Sequence, residues 1–466
     1  MSSTQYDFGL VGLGVMGRNF ILNVADNQFS AIGLDLDKEK VSSLIEESEE
    51  RKVAATSSKE DFVQSLAKPR KIMLLVPAGE PVDAVINDLK PLLDEGDIII
   101  DGGNSFFTDT DRRFEELRVD GIHFFGSGVS GGAKGARRGP SIMPGGDPAA
   151  YEHIRPIFEA ASAKVNGEPC VAHLGNGSAG NYVKMVHNGI EYAMMQMISE
   201  AYHVMKYGMG KSNRELHGLF DTWNKAELES FLVEITAAIF KQKDDLGEGE
   251  LVDHILDKAK QKGTGKWTSQ NAMDLGVPIP AIDVSVSMRQ ISSFKEQRLQ
   301  AEGIYQVDRA SVELSDDEVK ASLELSFMLA YAQGFVQLRS ASKEYNYGLN
   351  MEVISKIWRG GCIIRSVMLE DFRKAFDQEP EIENILQSDV LKERVKKLIP
   401  KLRKVVSSAL SAGYPVPALS ASLNYLLAYT SGRLPLNLIQ AQRDHFGSHT
   451  YERLDREGIF HTEWED

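Results

Sequence analysis

The stretch Val11-Gly-Leu-Gly-Val-Met-Gly17 constrains the fold of this chain more than any other. An apolar run over 8–11 leads into it, and a helix-like segment over 19–26 follows. In that context Gly12 permits a tight turn, Gly14 lets the backbone approach a pyrophosphate, and Gly17 lets helix and strand pack closely. The positive end of the helix then faces the phosphates. Alone, the pattern also fits an ordinary glycine turn. A second strand over 29–34 ends at Asp35, 18 residues after Gly17, where a carboxylate can bind both ribose hydroxyls. The same carboxylate repels a 2′-phosphate, so NAD is expected over NADP, although Asp35 could instead cap the next helix. Arg18 and Lys38 are the nearby cations that could still bind NADP. The cofactor is expected along Gly12, Gly14, Val15, Met16 and Gly17, with Asp35 and Val76 around it.

Further strands are expected over 71–76, 97–101 and 121–125, with polar periodic segments between them. That alternation implies a Rossmann-type α/β domain, residues 1–178, with a parallel sheet covered on both faces. From 179 to 434 the texture becomes helical, with apolar residues at helical spacing. An echo runs through it: Tyr202, Tyr207-Gly208, Trp223 and Phe231 are answered by Phe335, Tyr347-Gly348, Trp358 and Val367. A duplicated helical unit is expected. Residues 435–466 are short for a domain and read as a tail that packs on something else.

The net charge of −15 over 466 residues argues against nucleic-acid or anionic-membrane partners, though a local cluster of cations can still hold an anionic substrate. Two cysteines, Cys170 and Cys362, make no disulfide framework and suit a reducing compartment. The polar start fits no signal peptide, and the apolar runs are too short to span a bilayer, so a cytoplasmic protein is expected.

Chemistry concentrates in Lys184-Met-Val-His-Asn-Gly-Ile-Glu-Tyr192. As a helix it puts Lys184, His187, Asn188 and Glu191 on one face, with Met185, Ile190 and Met194 opposite. A potential base and a potential acid then share a wall, roughly 10 Å apart along the axis at 1.5 Å per residue. Without further context they could equally be solvent-facing helix residues. Met194, Met195 and Met197 read as helix core. Residues 126–146 hold eight glycines and read as a loop that brings backbone N–H groups and Ser130 to a ligand carboxylate, or as a flexible surface loop.

Together these segments resemble the 6-phosphogluconate dehydrogenase family of the β-hydroxyacid dehydrogenase superfamily. The resemblance runs almost end to end. It includes Ile98-Ile-Ile-Asp-Gly-Gly-Asn-Ser105, Gln261-Lys-Gly-Thr-Gly-Lys-Trp267, Trp358-Arg-Gly-Gly-Cys-Ile-Ile-Arg-Ser366 and Leu438-Ile-Gln-Ala-Gln-Arg-Asp-His-Phe-Gly-Ser-His-Thr450. It implies oxidative decarboxylation of 6-phosphogluconate to ribulose 5-phosphate and CO2, in the oxidative pentose phosphate pathway, without a metal. Lys184 would take the C3 hydroxyl proton as hydride leaves C3 for the nicotinamide, then assist loss of CO2 as an ammonium. Glu191 would protonate C1 of the enediol. A depressed Lys184 pKa is expected in the ternary complex.

The resemblance further implies that Ser130, Gly131, Gly132, His187 and Asn188 hold the carboxylate and nearby hydroxyls, with Asn104 beside nicotinamide and substrate. Tyr192, Lys262, Thr264 and Arg289 would bind the 6-phosphate. Arg443 and His449 would reach that site from a partner's tail, making the enzyme a tail-exchanged homodimer. Singly, Arg289 or Arg443 would pass for surface salt-bridge residues. One departure is plain. NADP-dependent members resembling this chain carry Asn-Arg-Thr or Asn-Arg-Ser after the second strand, where this chain has Asp35-Leu36-Asp37. Rival readings are another β-hydroxyacid dehydrogenase, such as one for 3-hydroxyisobutyrate, or a catalytically silent dinucleotide sensor.

Overall fold

In the computed structural model, residues 5–464 are described. Seven strands form one sheet: β1 (Phe8–Val11), β2 (Ala31–Leu34), β3 (Val53–Thr56), β4 (Lys71–Leu74), β5 (Ile98–Asp101), β6 (His123–Ser130) and β7 (Ser141–Gly145). Their order is β3-β2-β1-β4-β5-β6-β7, parallel except for the antiparallel β6–β7 pair. β1, β2 and β5 are buried throughout because helices cover both faces, which explains their unbroken apolar runs. Strand order reverses between β1 and β4, and the crevice at their C-terminal ends is where such sheets bind ligands.

Three features depart from expectation. β3 was not expected: Val-Ala-Ala-Thr is a half-buried edge strand of mostly small residues, with little apolar periodicity to announce it. The presumed glycine loop over 126–146 is a strand, a short helix (Gly132–Arg138) and a returning strand. Most of its glycines serve packing; a Cβ on Gly132 alone would meet nothing within 4 Å. The long helix Ala179–His203 lies directly on β6 and β7, so closely that a Cβ on Gly126 would sit 2.1 Å from Asn181 Oδ1, and one on Gly145 2.4 Å from the Gly180 nitrogen. The first helix also starts earlier than expected, at Val15.

The helical part is built on two long helices, Ala179–His203 and Asp316–Glu344, with a shared core. Each is followed by a matching helix pair. Trp223 ends Asn213–Trp223 and Phe231 opens Phe231–Lys241; Trp358 caps Met351–Ile357 and Val367 caps Met368–Gln378. A third pair of helices completes the parallel. Pro280–Ser293 and Pro417–Tyr429 both start on Pro-x-Pro-Ala, with N-cap φ, ψ of −127°, 50° at Ile279 and −131°, 59° at Val416. Each start is capped from the other repeat's long helix. Glu200 accepts from the backbone N–H of Ala418 and Leu419, while Gln333 accepts from that of Ala281.

The tail is a helix, Leu436–Gly447, and a short hairpin pairing Tyr451–Glu452 with Ile459–Phe460. Asp444 ties them together by accepting from Thr450, His461, Thr462 and Trp464. Leu436, Leu438, Ile439 and Phe446 stay exposed on that helix. Among the described residues no helix is long and apolar enough to cross a membrane.

Candidate active site

At the crevice, Gly12 has φ +97°, and a Cβ there would sit 2.6 Å from the Leu75 carbonyl oxygen and 3.0 Å from Val76 Cγ1. A Cβ on Gly17 would meet the Gly12 carbonyl oxygen at 1.9 Å. Gly14 is different: a Cβ there would meet nothing within 4 Å. The protein itself does not require glycine at that point, so the open space suits a group brought from outside. It lies at the start of Val15–Asp26, whose first turn has no side-chain cap, leaving N–H groups free for an anion. These residues fit a dinucleotide pyrophosphate. Met16 is half-buried behind the turn and Val15 is exposed at its rim.

Asp35 stands at the end of β2. Its carboxylate accepts from the Leu13 N–H at 2.8 Å and the Asp37 N–H at 3.0 Å, and Lys40 lies 3.6 Å away. The helix cap here is Asp37, which accepts from Glu39, so capping does not account for Asp35. Lys40 pairs with Asp35 and Asp37, and Arg18 with Glu47 at 3.2 Å, whereas Lys38 is exposed at the start of the next helix. Asn104 is exposed just beyond β5.

The wall of the cleft is Ala179–His203. It is buried on nearly every side, including the polar face, because β6, β7 and the helix Thr264–Asp274 pack against it. Lys184 Nζ donates to Asn188 Oδ1 at 2.6 Å. Asn188 Nδ2 donates to Thr264 Oγ1 at 3.1 Å, which fixes the amide's orientation. His187 Nδ1 lies 3.0 Å from Asn188 Oδ1, and its Nε2 lies 3.2 Å from Ser130 Oγ. An acceptor opposite Nδ1 places the ring proton there, leaving Nε2 to accept from Ser130.

Burial sets the titration of this group. It pushes the Lys184 amine down, against the opposing fields of Glu191 and Cys362. It pushes His187 well down, with Lys184 adding to the effect, so the imidazole is neutral. It pushes the Glu191 carboxyl up, against Lys184 and Arg289. A base easily kept neutral and an acid easily kept protonated therefore lie on one helix face.

Further along, the Arg289 guanidinium lies 3.4 Å over the Tyr192 ring and donates to the Lys260 carbonyl oxygen at 3.1 Å. Lys262 is exposed beside it in sequence, and Thr264 is buried. Gly131 and Gly132 have φ of +107° and +61° at the end of β6. Met194 and Met197 are core, but Met195 is exposed, its sulfur 3.5 Å from Arg289; it falls on the side of the helix that the cleft leaves open. Within one chain, Arg443 and His449 are exposed on the tail, where Arg443 contacts Gln440 and His449 packs on Phe446.

The 358–366 segment has contacts that the sequence did not reveal. The Ile363 N–H donates to Ser130 Oγ at 3.3 Å, Trp358 sits edge-on to His187 at 5.7 Å, and Gly361 backs Gly131. Its motif was visible, but its contacts join residues more than 170 positions apart.

Residues 7–175 match the NAD binding domain of 6-phosphogluconate dehydrogenase, and residues 180–464 match 6-phosphogluconate dehydrogenase, C-terminal domain. The chain is 50% identical over 466 residues to the NADP(+)-dependent, decarboxylating 6-phosphogluconate dehydrogenase of Bacillus subtilis, covering 99% of each. It is 48% identical over 468 residues to the decarboxylating enzyme of Escherichia coli K12, covering 99% of this chain and 100% of the other. Among solved structures it is similar to Plasmodium falciparum 6-phosphogluconate dehydrogenase, studied in its apo form and in complex with its cofactor NADP+ and its substrate 6-phosphogluconate. The TM-score is 0.95 at 42% identity, covering 98% of this chain and 100% of the other.

Proposed function

The chain belongs to the 6-phosphogluconate dehydrogenase family, and we propose that it catalyses oxidative decarboxylation of 6-phosphogluconate to ribulose 5-phosphate and CO2. The observation that carries this reading is the buried Lys184, its amine hydrogen-bonded to Asn188 without a carboxylate partner in contact. Gly12, Gly14 and Gly17 would hold a nicotinamide dinucleotide, which would supply the hydride acceptor for C3 of the substrate. Neutral Lys184 takes the proton of the C3 hydroxyl as the ketone forms. The resulting ammonium hydrogen-bonds the C3 oxygen and stabilises the negative charge that develops there as the C1–C2 bond to CO2 breaks. Glu191, whose carboxyl burial pushes up, then delivers a proton to the carbon that lost CO2.

Ser130, Gly131, Gly132, His187, Asn188 and Asn104 orient the carboxylate and hydroxyls in this reading. Tyr192, Lys262, Thr264 and Arg289 take the 6-phosphate. The partner's Arg443 and His449 complete that end in a tail-exchanged homodimer; the exposed apolar residues of the 436–447 helix support the pairing.

We infer a preference for NAD, although the Bacillus subtilis relative is named NADP(+)-dependent and the Plasmodium falciparum work describes NADP+. Asp35 supports this, because it is fixed by two backbone N–H groups and Arg18 and Lys40 are already paired with carboxylates. A 2′-phosphate there would meet a fixed carboxylate, which repels it.

The test is absorbance at 340 nm with 6-phosphogluconate and NAD or NADP in parallel, with CO2 release, for the native chain and Lys184→Met. Turnover is expected with both cofactors, faster with NAD, and reduced at least about a hundredfold by the substitution. Absence of turnover with either cofactor overturns the activity. Full activity of the variant removes Lys184 as base.

A further inference from the structure

We propose that Gly128 is a positioning residue for Lys184: the bare backbone of β6 is the wall against which the lysine stem rests, and it aims the amine into the cleft. This rests on the reading of Lys184 as the base.

A Cβ built on Gly128 would lie 2.3 Å from Lys184 Cβ and 2.7 Å from Lys184 Cγ. The overlap is with the anchored root of the side chain, so rotating its outer bonds does not relieve it. Backbone conformation is not the reason for glycine here. Gly131 and Gly132 have positive φ, and Gly128 is not among the residues that do. Its backbone would suit an L residue, so the missing side chain is required by space alone. The far end of the lysine is pinned too, since Nζ donates to Asn188. The stem is thus held at its root by β6 and at its tip by Asn188, which leaves it little freedom.

Gly126 provides an internal comparison. It is two residues earlier on the same face of β6, and its Cβ would meet Asn181 Oδ1 at 2.1 Å, one helical turn before Lys184. It lies at the same helix–sheet contact with a comparable overlap, but does not touch the base.

The experiment compares Gly128→Ala with Gly126→Ala. Gly128→Ala is expected to lower kcat about a hundredfold, the scale of a 1 Å misplacement, with KM for 6-phosphogluconate within about twofold. The acid limb of its kcat/KM profile should move to higher pH, because a displaced amine gains water. The titratable groups facing Lys184 are His187 and Glu191 from its own helix and Cys362 from the 358–366 segment, and none of them is altered. Gly126→Ala should lose stability but keep the pH profile. Wild-type kcat and an unmoved limb in Gly128→Ala overturn the proposal.

If Gly128→Ala does not fold, the contact is tested by stability in the double variant Gly128→Ala/Lys184→Gly. Its melting temperature should match that of Lys184→Gly alone, because the stem that caused the overlap is gone. A double variant that still fails to fold overturns the proposal. Lys184→Met separates the two ideas, since activity in that variant rejects the base while the stability coupling still reports on the contact.

Discussion

Lys184 Nζ donates to Asn188 Oδ1 at 2.6 Å, one turn along the same helix, and Asn188 is held in turn by Thr264 at 3.1 Å. The amine therefore has a fixed acceptor but no carboxylate in contact. An ion pair at that point would hold the lysine protonated; an amide orients it without doing so.

The pH dependence of kcat/KM should follow from this arrangement. The base works unprotonated, so activity is lost as pH falls through the Lys184 pKa, which burial moves below the ordinary 10.5. The acid works protonated, so activity is lost as pH rises through the Glu191 pKa, which burial moves above the ordinary 4.5. The two limbs together make a bell whose midpoints belong to the pair. Glu191→Gln should reduce kcat at least about a hundredfold and leave only the rise with pH. A profile from pH 5.5 to 10 that keeps both limbs in that variant would remove Glu191 from its role.

Asp35→Asn should raise the ratio of kcat/KM for NADP over NAD about tenfold, equivalent to roughly 1.4 kcal/mol. The amide oxygen can still accept from Leu13 N–H, so the turn stays in place while the charge is removed. Parallel kinetics with the two cofactors check this, and an unchanged ratio assigns cofactor preference elsewhere.

Arg443→Ala should raise KM for 6-phosphogluconate about tenfold or more, with kcat less affected, as for a lost phosphate contact. Co-expression with Lys184→Met tests whether the tail crosses. A mixed dimer pairs an intact Lys184 with the other subunit's intact Arg443, so low-KM activity should reappear. Mixtures that show only the sum of the two variants would place Arg443 in its own chain's site.

Glu200 should make stability depend on pH. Burial raises its carboxyl to about 7, against the N–H groups of Ala418 and Leu419 and the Gln196 amide. The folded state then binds more protons than the unfolded chain between the ordinary 4.5 and about 7. The stability it contributes is present below that window and lost as pH rises through it, by on the order of 3 kcal/mol at most. The melting temperature of the native protein should therefore fall more between pH 5 and pH 8 than that of Glu200→Gln. Equal slopes would contradict this.

The parts of the site legible in sequence were those formed by neighbours along the chain. Gly12, Gly14 and Gly17 announce a turn because strand, turn and helix are contiguous, and Lys184 to Glu191 share a face because helical periodicity puts them there. The glycines over 126–146 were read as a loop because glycine signals either freedom or close approach. Only the helix packed against them decides which, and that helix begins at Ala179. Met195 was assigned to the core because its neighbours are core, whereas the open cleft beside Arg289 is a property of the fold. The contact of Ile363 with Ser130 had no local signal at all.

Lys184 and Glu191, the proposed base and acid, lie on a helix buried on nearly every side, whereas Asp35 ends a strand and is followed by Leu36, which is 88% exposed. A substitution among Lys184, His187 and Asn188 disturbs packing and chemistry together, so its cost in stability adds to its cost in activity. A substitution over 35–38 meets solvent on most sides, apart from the Leu13 contact of Asp35 and the helix cap at Asp37. If Lys184, Glu191 and Asp35 act as proposed, the two ends of the same site differ in evolvability: the reaction is held fast by the interior, and the choice of electron carrier is free to drift at the surface.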